Sequence, residues 1–430
     1  MTDRIYKNIL QTGVAAIMVF APLAKGAMRS WSIAVVEVSV MLLVFMWLWR
    51  VNNHSDCRLK RTGLDIPILL FGILAIVSCM FSIYKFVSIK EFILMLTFAG
   101  VFYLVADNFN RKMMFHLGVL VVVIGVVTST FGLIQYFSGL GHSWWRPDNF
   151  LASTYVNHNH FAGYLELAIP LGIGMLFASR GTFKGQGASG KGYGSKILLI
   201  VALIVMFTAF LFSQSRGAWA SLAGAFLVTN IIFIRKKILQ KWTVAAFLLL
   251  LVLMGALIAA GYDDVSERLG TLTDAQNEAS LKTRAKIWQG GIEMVKENPV
   301  TGVGVGAFGL GFREQRPPGL SVRANFAHND YLHMMAETGV LALPIMVWMI
   351  VLVLRSGFRS MRMIPPSPHA ANACAVMDLS PVGGVALGAT VGILSLSFHA
   401  LVDFNFHITA NMLTAAVLIG IIIGYENPAK

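Results

Sequence analysis

Histidine, asparagine and aspartate are concentrated in the stretch FAHNDYLHMMAETG, residues 326–339, which leads into a long apolar run. This stretch contains His328, whose side chain can exchange a proton near neutral pH, and Glu337 at the mouth of the apolar run. Polar and titratable groups are costly where a helix meets lipid. They therefore indicate either a solvated helix end or chemistry at a membrane surface.

Four other stretches place polar residues beside apolar runs. NHNH at 157–160 opens one run, Arg216 lies in a turn of a few residues between two runs, and Arg284 lies in a long polar segment. The stretch SFHALVDFNFH at 397–407 separates the last two runs. Arginine stays charged and binds phosphate oxygens bidentately, so the two arginines are candidate phosphate contacts.

Each cluster also has a structural interpretation. Arg216 could extend its guanidinium from a helix end to the interface, and Arg284 could be a solvated residue on a helix face. The Asn/His run at 157–160 could cap a helix. His399, Asp403 and His407, at i, i+4 and i+8, could bind a metal ion on one helical face, but the Phe-rich break in this stretch favours a structural hydrogen-bond network.

The composition indicates an integral membrane protein. Hydrophobic residues make up 56% of the 430 residues and charged residues 13%, whereas soluble domains carry about 25% charged residues. We predict an all-α fold, a polytopic inner-membrane bundle of about twelve transmembrane helices, because apolar runs near the required ~20 residues recur throughout. The predicted spans are 9–25, 31–49, 66–83, 86–106, 115–138, 161–179, 197–213, 217–234, 242–261, 335–354, 382–402 and 406–424. The first run is alternatively a signal peptide.

These spans divide the chain into helices 1–9 (residues 1–261), one large periplasmic loop (262–334) and helices 10–12 (335–430). Basic clusters at 58–61 and 235–241 fall in segments that are cytoplasmic if both termini are cytoplasmic, and the short loops on the other side hold few basic residues. The net charge of +13 follows from this topology and from contact with anionic membrane lipids, so no nucleic-acid partner is expected. All five polar clusters fall on the periplasmic side.

The large loop has two recognisable features. Leu281, Ala285, Trp288, Ile292 and Val295 repeat at helical spacing, which predicts an amphipathic helix over 281–297 lying on the membrane or the bundle. The following TGVGVGAFG resembles a phosphate loop, but no Lys-Ser/Thr pair follows it, so a tight turn is predicted instead. Cys57 and Cys374 fall in predicted inner loops and Cys79 within a span, so no disulfide is expected, and the lack of paired spacing argues against a cysteine metal site.

The motifs, taken together, resemble the O-antigen ligase superfamily. The resemblance is carried by His328-Asn329-x-Tyr331-Leu332 with Glu337-x-Gly339, by Arg284 with NPVTGVGVGAF in the preceding loop, and by SRGAW at 215–219 and NHNHFAGYLE at 157–166. It covers most of the chain, with the motifs in matching order. Relatives include ligases that act on lipid A-core, polymerases that extend a polysaccharide and oligosaccharyltransferases that modify protein.

The resemblance implies a glycan donor linked to undecaprenyl pyrophosphate and an acceptor hydroxyl on lipid A-core or a growing polysaccharide. Arg216 and Arg284 are then expected to stabilise the departing pyrophosphate, and His328 to accept the hydroxyl proton. Direct displacement would invert the anomeric carbon, whereas double displacement would use Glu337 or Asp403. The expected substrate contacts are Arg146, Asn157, Asn159, His160, Asn329, Tyr331, Glu337, Asp403, Lys25 and Arg29.

The first outer loop, PLAKGAMRS, has no carboxylate to hold a divalent metal, so we expect no metal or other cofactor; Asp263 and Asp264 are the acidic pair that argues against this. The expected function is O-antigen ligation in lipopolysaccharide biosynthesis, with a polysaccharide polymerase as the alternative. A transporter is the interpretation from another class, but its site would lie near the membrane midplane with broken helices in both halves. A structural scaffold would not need arginines at the mouth of the bundle.

Overall fold

The computed structural model describes residues 3–53, 59–138, 150–178, 191–235, 275–359, 363–364, 376–377 and 380–426. Its first eight helices are α1 (Asp3–Leu23), α2 (Ser30–Asn53), α3 (Asp65–Met80), α4 (Lys85–Asn108), α5 (Arg111–Ser138), α6 (His158–Ala178), α7 (Lys191–Phe212) and α8 (Arg216–Arg235). The others are α9 (Ala275–Glu297), α10 (Phe308–Gly311), α11 (Asp330–Thr338), α12 (Ala342–Arg359), α13 (Pro381–His399) and α14 (Thr409–Glu426). Short 3₁₀ turns lie at Lys25–Ala27 and Asn405–His407.

The helices confirm a polytopic all-α membrane protein. Within the described residues, nine helices are long and apolar enough to cross a membrane: α2, α4, α5, α6, α7, α8, α12, α13 and α14. The predicted span 242–261 lies outside the described residues. The described strands are two residues each, β1 (Met363–Ile364) and β2 (Val376–Met377), and they pair antiparallel.

The predicted span 335–354 is wrong as a continuous helix. The structure ends α11 at Thr338 and begins α12 at Ala342, with a break at Gly339. Gly339 has a φ of 90°, a conformation that favours glycine over residues with a Cβ. Because of this break, the axis of the short helix α11 need not follow the axis of α12. Helix α11 carries the polar sequence that begins at Asp330.

The pair α6 and α13 forms the centre of the bundle, and both helices are almost entirely buried. Small residues allow this close packing: a Cβ on Gly174 would lie 2.1 Å from the Gly384 carbonyl oxygen. A Cβ on Gly388 would likewise lie 2.4 Å from the Pro170 carbonyl oxygen. The close packing of α6 against α13 therefore fixes the positions of the polar residues at the start of α6 and at the end of α13.

Helix α9 is amphipathic, but its buried face differs from the predicted one. Ile287, Gly290, Gly291 and Met294 are buried, whereas Ala285 and Ile292 are exposed. The glycines explain the difference, because they let the segment after α10 approach α9: a Cβ on Gly290 would lie 2.6 Å from the Phe312 ring. A hydropathy pattern gives glycine no weight as a packing residue, so it placed the apolar face incorrectly.

The glycine-rich segment after α9 forms the predicted tight turn. Gly302 and Gly304 both have positive φ, and the amides of Val303 and Gly304 donate to the carbonyls of Ala336 and Glu337. A Cβ on Gly302 would lie 2.1 Å from the Glu337 carbonyl carbon, so glycine is required there. The turn therefore wraps the end of α11 and fixes that helix against the rest of the extramembrane segment.

Candidate active site

Three of the residues singled out in the sequence meet at one end of the bundle. The His328 Nδ1 atom lies 3.2 Å from Asp403 Oδ1, and Arg284 Nη2 lies 3.9 Å from Asp403 Oδ2. Arg284 also donates from Nη1 to the Val402 carbonyl at 2.7 Å. The Asp403 side chain is 2% exposed, whereas those of His328 and Arg284 are 32% and 24% exposed. A buried carboxylate thus anchors two groups that remain accessible to a ligand.

The start of α11 positions His328. Asn329 is the N-cap of this helix, and its side chain accepts a hydrogen bond from the Leu332 amide. His328 itself has a φ of 50°, an uncommon conformation for a residue with a Cβ. The Asp330 amide donates to the Ala400 carbonyl at 2.8 Å, which ties α11 to the segment after α13. Local backbone contacts therefore set the direction of the imidazole.

The end of α13 positions Asp403 from the other side. The amides of Val402 and Asp403 both donate to the His399 carbonyl, and Asp403 Oδ1 accepts from the Phe404 amide at 2.9 Å. Burial raises the pKa of the Asp403 carboxyl. The hydrogen bond from His328 and the charge of nearby histidines lower this pKa by a larger amount. The pKa consequently lies well below the usual range, and the group is a carboxylate at neutral pH.

Arg216 begins α8 beside this same segment. A Cβ on its neighbour Gly217 would lie 3.0 Å from His399 Nε2 and 3.2 Å from Val402 Cγ2. Since Arg284 bonds the Val402 carbonyl, the segment 399–403 is bordered by the starting turn of α8 on one side and by Arg284 on another. The two predicted phosphate contacts therefore approach one short segment.

A second carboxylate–histidine pair lies beneath this segment. His399 Nδ1 is 2.6 Å from Glu166 Oε2, and the other Glu166 oxygen accepts from Ser395 Oγ at 2.6 Å. Both residues of the pair are at most 1% exposed. Asn405 extends the network, with its Nδ2 atom 3.0 Å from His399 Nδ1. Glu166 was not among the predicted site residues, although a carboxylate within an apolar span is itself a signal of function or internal pairing.

A third cluster joins α11 to the 3₁₀ turn before α14. His407 Nδ1 lies 2.6 Å from Asp330 Oδ1, and His333 Nε2 lies 3.0 Å from Glu337 Oε1. Burial alone would lower the pKa of His407, but the hydrogen bond to Asp330 and the carboxylate charges raise it to about 9. His333 and Asp330 are further residues to which the sequence analysis assigned no role.

Three members of this cluster, His333, Glu337 and His407, place potential metal ligands within 4.8 Å of one another. The hydrogen bonds do not fit a metal. The Ala327 amide donates to His333 Nδ1, so a neutral ring carries its proton on Nε2, which donates it to Glu337. The carboxylate of Asp330 raises the pKa of His407 to about 9, so a metal ion would have to displace that proton. The arrangement fits a hydrogen-bonded cluster better than a metal site.

The remaining predicted contacts are distributed as follows. Asn157 accepts from the Asn159 amide at the start of α6, and Tyr331 donates its hydroxyl to the Ser397 carbonyl. His160 is buried, with its ring 4.8 Å from that of Phe404, which also packs 4.9 Å from the His328 ring. Lys25 is half-buried and Arg29 is exposed, and Gly26 between them packs closely against the Tyr155 ring. Arg146 lies outside the described residues, as do Asp263 and Asp264.

Glu337 lies away from the accessible side of the site. Its side chain is 1% exposed, and Oε1 accepts from the Phe308 amide as well as facing His333. The proposed helical face of His399, Asp403 and His407 is also incorrect, because α13 ends at His399 and a turn separates the three residues. Each pairs with its own partner (Glu166, His328 and Asp330, respectively), which favours the hydrogen-bond network over the metal site.

Residues 201–361 match the family model described as O-Antigen ligase. This match confirms the resemblance to the O-antigen ligase superfamily that the motifs indicate, and it contains Arg216, Arg284 and His328. It supports a multi-pass membrane glycosyltransferase of the O-antigen ligase or polymerase type. A search of curated proteins finds no match to the chain.

Proposed function

We propose that this member of the O-antigen ligase superfamily moves a glycan from undecaprenyl pyrophosphate to an acceptor hydroxyl. The observation that carries the proposal is the convergence of His328, Arg284 and Asp403 at one end of the bundle, beside the turn that begins with Arg216. This arrangement places an accessible imidazole beside Arg284 and close to the helix start that carries Arg216, and a reaction with an anionic leaving group requires such cations. The family match over 201–361 supports the same assignment.

In the proposed reaction, an acceptor oxygen attacks the anomeric carbon while the bond from that carbon to the phosphate oxygen breaks. The electron pair leaves with the pyrophosphate, and Arg216 and Arg284 stabilise the charge that develops there. The hydroxyl proton passes to His328. Because Asp403 faces Nδ1, the neutral ring carries its proton on that atom and presents Nε2 as the base.

Direct displacement with inversion is the mechanism that the geometry favours. Double displacement would need a carboxylate with a free oxygen facing the substrate. Asp403 directs one oxygen to His328 and the Phe404 amide and the other to Arg284. Glu337 is buried against His333. Both carboxylates are thus better suited to holding neighbouring groups than to forming a glycosyl intermediate.

We propose that no metal takes part. In a metal-dependent transferase, a cation would neutralise the leaving group, whereas here two arginines approach the segment that carries Asp403. The first outer loop contains Lys25 and Arg29 and no carboxylate. The acidic clusters near the site are already paired with histidines in the described part of the chain.

The proposed location is the bacterial inner membrane, with both termini in the cytoplasm and the site on the periplasmic face. The distribution of basic residues supports this orientation. A lipid pyrophosphate anchored in the periplasmic leaflet would then present its phosphates to the end of the bundle that holds Arg216 and Arg284.

The acceptor is proposed to be lipid A-core, with a growing polysaccharide as the alternative. A deletion strain distinguishes the two. Loss of long lipopolysaccharide with accumulation of lipid-linked polymer identifies a ligase, whereas accumulation of lipid-linked single repeats identifies a polymerase. Complementation with the wild-type gene and with His328→Ala is the internal control. Normal glycan products in the deletion strain would contradict both assignments.

A further inference from the structure

An elongated cavity of about 200 Å³ lies inside the bundle, apart from the residues that bind the proposed glycan donor. Residues 393–397 of α13 contribute to its wall, and most of the remaining lining lies along one face of each of three other helices: residues 91–98 of α4, 346–353 of α12 and 412–419 of α14. The helices α4, α12 and α14 are parallel: each runs through the bundle in the same direction from its first residue to its last. A seven-residue advance at 1.5 Å per residue makes the cavity about 10 Å long, parallel to the helices.

These dimensions describe a channel of about 200 Å³ that follows two turns of each helix. A dry apolar cavity of about 150 Å³ is already large enough to bind benzene. The space therefore exceeds a packing defect and is large enough for part of a hydrocarbon chain.

The lining is almost entirely apolar, and five of its residues are methionines: Met95, Met334, Met346, Met349 and Met412. Methionine side chains adapt to irregular apolar ligands. Water would find few partners along such walls, so a hydrocarbon is the better occupant. The helices α4, α12 and α14 are membrane-spanning candidates, so the surrounding bilayer supplies hydrocarbon chains.

One end of the channel is polar. Glu91, Ser397 and His407 lie there, at the end where α4 and α14 begin, whereas Phe98, Val353 and Ile419 lie at the other end. The charges of Glu91 and His407 are close enough to interact. The tip of a bound lipid chain would accordingly lie at the apolar end of the channel. The end of the chain that is joined to the headgroup would lie near Glu91.

We propose that this channel binds one acyl chain of a membrane lipid, held parallel to α4, α12 and α14. Acyl chains are the hydrocarbon that a bilayer around these membrane-spanning helices supplies in greatest amount, and the length and apolar lining of the channel accept one. The acyl chain can come from a phospholipid or from an acylated glycolipid acceptor. The inference does not rest on the proposed glycan transfer.

The test uses the full-length protein in nanodiscs that contain phosphatidylethanolamine with a photoactivatable diazirine near the end of one acyl chain. Cross-linked residues are mapped by mass spectrometry. We expect cross-links within 91–98, 346–353 and 412–419, on the residues that line the channel. A parallel nanodisc set with an acylated glycolipid probe compares the two sources of the chain, and labelling of the channel by either probe supports the site.

A matched pair of substitutions on α12 provides the control. Ile350→Phe fills the channel and should abolish most of the labelling of its lining. Val351→Phe adds the same bulk on the adjacent residue, which is 51% exposed on the outside of the helix, and should leave the labelling unchanged. Met95→Phe fills the channel from α4 and replaces Ile350→Phe if that variant does not fold.

Three results would overturn the proposal. The first is labelling confined to outward-facing residues of the helices. The second is unchanged labelling of the lining in a folded Ile350→Phe or Met95→Phe protein. The third is preferential labelling of the channel by a diazirine-bearing polyprenyl phosphate, because the channel would then belong to a branched chain.

Discussion

At the residue scale, the proposed chemistry depends on how the buried Asp403 side chain orients its more exposed partners. Asp403 is 2% exposed and faces both His328 and Arg284, whereas Phe404 packs edge-on against the His328 ring. A carboxylate in this position fixes the tautomer of an imidazole and stabilises its protonated form. The histidine can therefore accept a proton without losing its orientation.

We predict that His328→Ala leaves the protein folded and able to bind a lipid pyrophosphate, while transfer falls by about 10²- to 10⁴-fold, because the general base is lost. The measurements are the transfer rate and the binding of undecaprenyl pyrophosphate to the purified variant. His116→Ala is the matched control, since His116 is an exposed residue near the start of α5, at the other end of the bundle from the site. If His328→Ala transfers glycan at the wild-type rate, the imidazole is only a residue at a helix start.

Sequence predicted the identities of these residues better than their partners. His328, Arg284 and Asp403 were separately visible because polar residues stand out beside apolar runs. Their pairing was not visible, since it joins residues 75 and more positions apart: one within α9, one just before α11 and one just after α13. Glu166 was overlooked for a related reason: its partners His399 and Ser395 lie more than 200 positions away.

At the element scale, helix ends and their connecting turns are held together by carboxylate–histidine pairs. Asp330, at the start of α11, accepts from the Phe406 amide and pairs with His407, so it fixes the turn that follows Asp403. Glu166 of α6 fixes the end of α13 through His399. The site segments are thus connected to the most buried helices of the bundle.

The Asp330–His407 pair predicts a loss of stability at alkaline pH. The pKa of His407 is raised from 6.5 to about 9 in the folded protein, so its contribution is fully present below the unfolded value of 6.5 and is lost as the pH rises through about 9. Asp330, Glu337 and Glu91 are the acidic groups that act on His407, and His333 packs against its ring.

The measurement is the Tm of the wild-type protein and of His407→Gln between pH 6 and pH 10. We expect the wild-type advantage over the variant to be largest near pH 6 and to shrink as the pH rises through about 9. His116→Gln is the control and should follow the wild-type curve. A constant difference between wild type and His407→Gln at every pH would show that the ionic pair does not form.

A substitution at Gly217 tests whether transfer requires His399 to stay in contact with the first turn of α8. Gly217→Ala would place a Cβ 3.0 Å from His399 Nε2, so we expect it to displace the imidazole and to reduce both transfer and lipid pyrophosphate binding. Gly224→Ala, on the same helix, adds a methyl group at ordinary contact distance from Phe398 and should have little effect. Equal activity of the two variants would show that the position of His399 does not affect the site.

Hydropathy predicted most helices at this scale because lipid requires continuous apolar runs. It did not predict the break at Gly339, since a single glycine beside a long apolar run is tolerated within a helix. The orientation of α9 was missed because Gly290 and Gly291 lie on its packed face, where the closely approaching chain replaces side-chain volume. Both failures come from glycines whose role is set by tertiary contacts.

At the scale of the whole molecule, the proposed orientation places α9, α10 and α11 outside the cytoplasm together with the site. Labelling of single cysteines in a protein free of native cysteines tests this. Glu314→Cys, at an exposed position after α10, should react in intact spheroplasts with a membrane-impermeant maleimide. Ser189→Cys, in the predicted cytoplasmic loop, should react only after the membrane is permeabilised. The reverse pattern would place the site on the cytoplasmic face.

The most direct test of the central claim is glycan transfer by the purified protein in liposomes. The reaction contains an undecaprenyl pyrophosphate-linked glycan, lipid A-core as acceptor and excess EDTA. We predict a glycan joined to lipid A-core with inverted anomeric configuration, formed at the same rate with and without EDTA, because arginines stabilise the leaving group. Loss of product in EDTA that is restored by magnesium or manganese would contradict a reaction driven by Arg216, Arg284 and His328 alone.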